Sequence, residues 1–412
     1  MDNSLYCINL DSSLRIESSG VCRSCCLQKV IYHDENKTSF NVKNHTFEEI
    51  LDNKIRKQII EDLKNGIKHP ACNVCWAEED AGKRSKREID NRHFRKIDNQ
   101  YYREKNFGPS QLDISLSNVC NLKCRTCNIH SSSFWKEETW DLELYDKTKI
   151  QGRAQYNDFL SRYTRSFESD SLFWNEFIKN IPNVSSIQFY GGEPFLVKKQ
   201  WEIVQKIVEM GYDKFISVEY NTNGTLLDLS KLQLLKNFKR VNIDFSLDGI
   251  HDRLHYLRYP AKHDSIIQNL KTLYNLKDSF KNLTIGVGHT ISILNVYYIE
   301  EIFNEYNRFV DNIYLSLVHN PEYYCIANIP DNIKFKIISH IQSIPDEIVP
   351  QHKSIEVINF MKSHKFNENN WRECWRKTKL HDNYRAQDYV TIFPEYTELC
   401  TQDVIFNEIM GK

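Results

Sequence analysis

Three cysteines, Cys120, Cys124 and Cys127, fall at C-x3-C-x2-C spacing inside the stretch 117–127. Thiolates at this spacing can hold an iron–sulfur cluster or a zinc ion. On a four-iron cluster, three thiolates leave one iron without a protein ligand, the position a redox enzyme needs for a substrate or cofactor. Zinc takes four Cys or His ligands, and His130 is the available fourth. A second set, Cys7, Cys22, Cys25, Cys26, Cys72 and Cys75, occupies the first hundred residues. A single Cys, a Cys pair and a C-x2-C supply four thiolates, which make a closed site for structure or electron transfer. A zinc ribbon would use the same four. A third stretch, Gly191-Gly192-Glu193-Pro194, offers backbone carbonyls and the Glu193 carboxylate to a cation. Its glycines permit close backbone approach to a ligand, and Gly192 is expected at positive φ.

The elements that position these residues follow from periodicity. Gln111 to Leu116 alternates as a strand, so the triad sits on the loop leaving its C-terminal end. Val184 to Tyr190 is a strand that runs into the double glycine. Further strands are expected at Phe215 to Tyr220, Val241 to Ser246, Leu283 to Ile293 and Asn312 to Val318. Helical stretches alternate with them at Ser171 to Asn180, Lys198 to Met210, Leu229 to Lys236, His263 to Leu276 and Val296 to Phe309. This alternation implies parallel βαβ units, six strands in all. Gly191, Gly192, Gly224 and Gly249 all fall at strand C-termini, where parallel α/β folds place their sites.

Upstream, Thr46 to Asn65 and Trp76 to His93 are expected as helices, and Phe107 to Ser110 as the boundary of the N-terminal module. Lys83 to Lys96 reads as a solvated charged face. Trp140 to Asp170 is a polar insertion with scattered aromatics near the mouth of the site. Asp331 to Ile344 and Ser354 to His364 are expected helices that close the open side. Cys325, Cys374 and Cys400 read as buried side chains rather than ligands.

Composition bounds the rest. The chain has 412 residues, 41% hydrophobic and 26% charged, with a formal net charge of −1. That balance gives no reason to expect a nucleic-acid or anionic-membrane partner. No apolar run reaches the length of a membrane span. The first residues, Met1 to Cys7, lack a basic segment followed by an apolar one. Clustered cysteines without an export signal point to metal or cluster ligation in a reducing cytoplasm rather than to a disulfide framework.

The triad and its flanks, Asn118, Cys120, Asn121, Leu122 and Cys124, together with Gly191-Gly192-Glu193-Pro194, resemble the radical S-adenosylmethionine (SAM) superfamily. Thr126 stands where many members carry an aromatic residue. The resemblance implies a partial (β/α)6 TIM-like barrel in which Cys120, Cys124 and Cys127 hold a [4Fe–4S] cluster and SAM chelates the open iron. One electron then cleaves the sulfonium, and the resulting 5′-deoxyadenosyl radical takes hydrogen from substrate. It further implies that Gly191, Gly192 and Glu193 grip the methionine ammonium group, with Asn223, Ser246, Arg258 and Asn295 near the carboxylate, ribose or adenine. The N-terminal set, with Gly20, Gly66, Pro70, Glu79, Gly82, Ser85, Arg87 and Asn91, resembles a Twitch- or SPASM-type auxiliary-cluster module, with Ser24 in place of the usual Pro. This implies Cys7, Cys25, Cys72 and Cys75 as ligands of an auxiliary [4Fe–4S] cluster, with Cys26 or Cys22 as replacements for Cys25. The implied organisation is an auxiliary module at 1–107, a barrel at 108–325 and a closing segment at 326–412. Implied partners are a peptide, protein or small-molecule substrate and an electron donor such as flavodoxin or ferredoxin. A metal-binding protein that keeps the fold without turnover is the reading from a different class.

Overall fold

The computed structural model describes residues 5–97, 108–145 and 154–411. The boundary residue Phe107, the first residues Met1 to Ser4 and residues 146–153 of the expected insertion lie outside the described residues. The framework is one eight-stranded sheet. Its strands are β1 (Ser13–Ile16), β2 (Cys22–Arg23), β3 (Gln111–Ile114), β4 (Ser186–Phe189), β5 (Ser217–Thr222), β6 (Arg240–Ser246), β7 (Leu283–Ile291) and β8 (Asn312–Leu317), in the order β2-β1-β3-β4-β5-β6-β7-β8. The six strands β3 to β8 are parallel and in sequence order, as a partial (β/α)6 barrel requires. The fold is α/β.

Two strands come from the N-terminal cysteine region. β1 pairs parallel with β3 and β2 pairs antiparallel with β1. Their four and two residues are too short for alternation to announce them.

Each strand carries a binary pattern. Leu112, Ile187, Val218, Val241 and Ile285 point to the buried face that packs on the helices. Burying each such side chain contributes about 1.5–3 kcal/mol. The other face is polar. Arg15, Asp113, Gln188, Glu219 and Asn242 are register neighbours across five strands. Arg15 is ion-paired with Asp113. Gln188 Nε2 donates to Glu219 at 2.6 Å, and Asn242 Nδ2 donates to Asp244 at 2.8 Å. The barrel interior is therefore lined with charge.

Helices bridge the gap between β8 and the N-terminal strands. His319, just after β8, lies 3.2 Å from Glu78 of the helix Asn73–Asp80. Arg84 pairs with Glu356 of the helix Gln351–Ser363 at 3.0 Å. Both expected N-terminal helices are broken in two. Asn53 accepts a hydrogen bond from Arg56 N–H and caps Lys54–Lys64 anew after Phe47–Leu51. Gly82, at φ +74°, separates Asn73–Asp80 from Lys86–Ile97. The second break turns Lys83, Arg87 and Asp90 inward, where they are buried rather than solvated.

Candidate functional site

The triad loop leaves β3 and is held from three sides. Lys123 N–H donates to Tyr259 O and Arg125 N–H to Leu257 O, each at 2.7 Å. Gly192 N–H and Glu193 N–H donate to Ser117 O at 3.2 Å and Val119 O at 2.7 Å. On the third side, Asn118 Nδ2 donates to Ile129 O and Tyr163 O and so ties the insertion to the loop. Trp135, Trp140, Tyr145 and Phe159 pack as an aromatic cluster beside Cys127. The insertion therefore does border the cysteines.

The glycine motif serves this packing. It is Gly191, not Gly192, that adopts positive φ, at +97°. A Cβ on Gly192 would lie 2.0 Å from Val119 O, so the backbone of the cysteine loop occupies that space. Glu193 is 0% exposed, and three donors claim its oxygens: Thr222 Oγ1 at 2.7 Å, Asn223 N–H at 2.7 Å and Phe195 N–H at 3.0 Å. Burial raises its pKa, and these hydrogen bonds pull the other way. Its carboxylate thus fastens the end of β4 to the end of β5.

The remaining strand-end residues separate into two groups. Asn223 and Arg258 reach the cysteines. Asn223 Nδ2 lies 2.8 Å from Asn121 Oδ1 and 3.9 Å from Cys120 Sγ, and Arg258 lies 3.9 Å from Cys124 Sγ. Burial works against the Arg258 charge, and Asp248 Oδ2, 2.7 Å from Nε, more than restores it, so the guanidinium pKa is held up. Asn295 is consumed by its own turn: Nδ2 donates to Asp248 O and Thr290 O while Oδ1 accepts from Ser292 N–H. Ser246 ends β6 beside Gly288. Burial pushes up the pKa of all three triad thiols, Cys127 to about 12, and the Arg258 charge opposes this at Cys124.

The N-terminal thiols surround a cavity lined by Cys7, Cys25, Cys72 and Cys75, with Lys86 and Arg87. Of the two replacements for Cys25, Cys22 is buried elsewhere, its S–H donating to Gly20 O, and Cys26 lies outside the lining, facing Lys86 and the Arg15–Asp113 pair. Asn9 and Lys86 also wall a second cavity, lined by Asp90, Asp113 and Gln188, that belongs to the barrel interior. All twelve cysteines are free thiols, and Cys325, Cys374 and Cys400 are buried away from both sets.

One group escaped sequence reasoning. The helix Glu368–Arg385 clamps the triad loop from the C-terminal end. Arg125, 2% exposed, binds Asp382 at 2.5 Å and lies 4.0 Å above the Tyr256 ring. Fully buried Glu138 takes Lys123 at 3.0 Å, His381 at 2.7 Å and Arg385 at 3.0 Å. Burial alone would raise the Glu138 pKa, but His381 and Arg385 bring it down to about 2.

The partial barrel gathers three thiols, a double-glycine turn and a fixed guanidinium at its strand ends. Residues 114–305 match the radical SAM superfamily model, so this stretch is a radical SAM domain, the catalytic fold of an enzyme superfamily. The chain is 28% identical over 171 residues to the antilisterial bacteriocin subtilosin biosynthesis protein AlbA of Bacillus subtilis (strain 168), covering 41% of this chain and 31% of AlbA. It is 27% identical over 207 residues to the probable GTP 3′,8-cyclase of Methanocella arvoryzae, covering 50% of this chain and 53% of the relative. The chain thus spans about a third of the first of these relatives and about half of the second. Among solved structures, Streptococcus suis SuiB bound to precursor peptide SuiA aligns with 82% of this chain and 69% of its own at 14% identity and TM-score 0.37. No helix of the described residues is long and apolar enough to cross a membrane.

Proposed function

We propose that the chain is a radical SAM enzyme that modifies a peptide or protein with the help of an auxiliary cluster. The observation that carries this reading is the placement of two thiol sets around one polar interior. Cys120, Cys124 and Cys127 stand at its strand-end mouth, and the cavity of Cys7, Cys25, Cys72 and Cys75 shares Asn9 and Lys86 with its floor. Three thiols suit a [4Fe–4S] cluster with an open iron, and four suit a closed one. When bound, the open cluster supplies the electron that cleaves SAM. Arg258, fixed by Asp248, is aimed at the triad and would take the SAM carboxylate as a charge-assisted pair. Asn223 stands beside Cys120 on the neighbouring strand end. The aromatic cluster of the insertion packs against the Cys127 side.

Within the interior, Asn242 Oδ1 and Asp244 Oδ1 are buried without hydrogen-bond partners. Such groups favour a substrate that brings hydrogen-bonding groups of its own. The similarity to a bacteriocin-biosynthesis protein favours a peptide. A second reading, a sugar or nucleotide substrate, is favoured by the similarity to the probable GTP cyclase. In both readings residues 1–107 bring the auxiliary thiols, 108–325 the barrel and 326–412 the closing segment, and a flavodoxin or ferredoxin supplies electrons in the cytoplasm.

The test is anaerobic reconstitution followed by iron analysis and assay of 5′-deoxyadenosine with a chemical reductant. Wild type is expected to hold about eight irons and to form 5′-deoxyadenosine. Alanine at Cys120, Cys124 and Cys127 should leave about four irons and no product, and alanine at Cys7, Cys25, Cys72 and Cys75 should also leave about four. C22A should keep about eight. Zinc without iron in wild type, or no product from the eight-iron protein, would leave a binding protein that retains the fold.

A further inference from the structure

The helices His251–Leu257 and His263–Leu276 follow β6 on the outside of the barrel. At their starts, ligand atoms of His251, His263 and Asp264 all lie within 4.8 Å of one another. The His251 and His263 rings are 4.3 Å apart, centre to centre. His263 is only 7% exposed, yet neither ring nitrogen has a hydrogen-bond partner. A buried imidazole without partners is costly, so it marks a site with something to bind. Asp264 Oδ1 is 3.7 Å from Nδ1 of His263, and Glu305 Oε1, from the helix Ile299–Tyr306, is 3.8 Å from Nε2.

We propose that His251, His263 and Asp264 form a transition-metal site, distinct from both thiol sets, that takes Zn²⁺ or a similar borderline ion. Two imidazoles and a carboxylate are zinc donors, and imidazole disfavours Mg²⁺ and Ca²⁺. Tetrahedral zinc holds its nitrogen ligands about 3.3 Å apart, so the three donors have only to draw in slightly. His263 is fixed by burial, whereas the side chains of His251 and Asp264 are exposed and free to turn. The Glu305 carboxylate faces Nε2 of His263 and would orient a metal-bound imidazole through that nitrogen. His251 sits at φ +43°, a conformation that strains a non-glycine residue and that places its ring against His263.

The position has a structural consequence. His251 opens the helix between Asp248–Gly249 and Arg258, the residue aimed at Cys124. Tyr306 Oη donates to Gly249 O at 3.0 Å, tying the Glu305 helix to the same turn. A bound ion would fasten the start of the short helix whose far end carries the Arg258 guanidinium.

The test uses tag-free, cluster-loaded protein and Zn²⁺ alone as the probe, with metal analysis after dialysis and zinc X-ray absorption. The expected result is one retained zinc per chain with a nitrogen and oxygen shell at about 2.0–2.1 Å and no sulfur at about 2.3 Å. H251N and H263N should lose that zinc while iron content and circular dichroism stay unchanged. E305Q should weaken binding about 10–100-fold without abolishing it. If H263N fails to fold, H251N and D264N, both at exposed side chains, decide the matter. No retained zinc, a sulfur-containing shell, or undiminished zinc in the folded variants would overturn the site. Because iron is measured separately, this failure is distinguishable from failure of the cluster reading.

Discussion

Glu138→Gln probes the clamp between the triad loop and the helix Glu368–Arg385. In the native state the Glu138 carboxylate meets Lys123, His381 and Arg385, and its pKa falls from 4.5 to about 2. A depression of that size is worth about 3 kcal/mol at 1.36 kcal/mol per unit. The unfolded carboxylate binds its proton at higher pH than the native one, so the contribution is complete above pH 4.5. It declines as pH falls and is gone below about 2. The glutamine variant keeps the shape but not the charge, so it leaves Lys123 and Arg385 buried without a counter-ion. Urea unfolding at a series of pH values should therefore place E138Q about 3 kcal/mol below wild type at pH 7, with the gap narrowing as pH falls below 4.5. The variant should also bind iron less well at the triad while retaining the N-terminal cluster. A gap under about 1 kcal/mol at neutral pH, or one that does not change with pH, would refute the clamp as an electrostatic device.

Two further perturbations test the packing of the site and its interior. Gly192→Ala would force a Cβ to within 2.0 Å of Val119 O, so the cysteine loop must move. A loss of about 3 kcal/mol and of triad iron is expected, and full iron with an unchanged unfolding midpoint would contradict it. Asp244 has its pKa raised to about 7, by burial and then by Glu219. Its native form thus holds a proton that the unfolded chain releases from about pH 4 upward, and wild-type stability should fall between pH 4 and 7 by an amount on the order of 3 kcal/mol. D244N should remove that slope and be the more stable protein at pH 8; identical pH profiles would exclude the effect.

The parallel strands and the triad were readable because each rests on local pattern. Alternation from Gln111 to Leu116 and the polar residues at successive strand ends need no knowledge of distant contacts. The motif offset points to Cys25 with Cys22 or Cys26 as replacements, and of these three only Cys25 lines the cavity. The glycines were found for an incomplete reason. Close approach was anticipated toward a ligand, whereas the neighbour at 2.0 Å is the carbonyl of Val119, more than seventy positions earlier in the chain. Helix continuity from Thr46 to Asn65 was overridden by Asn53, whose side chain caps the second half, a local signal that apolar periodicity masks.

What stayed hidden is long-range charge. Glu138 and His381 are 243 positions apart, and each alone is an ordinary helical polar residue. Asp248 looks like turn chemistry until Arg258 and Thr290 are seen to converge on it. These residues share one physical trait. The intervening positions of the C-x3-C-x2-C motif, Lys123 and Arg125, carry cations whose counter-charges lie on Glu138 and on the C-terminal helix at Asp382. A loop that must hold three thiols at fixed positions has too few residues to bury a core of its own. Its rigidity is therefore borrowed from buried ion pairs to distant elements, and breaking one partner leaves the other charge stranded. On this argument the sequence between the cysteines, as much as the cysteines themselves, determines whether the loop is pre-organised before any cluster is inserted.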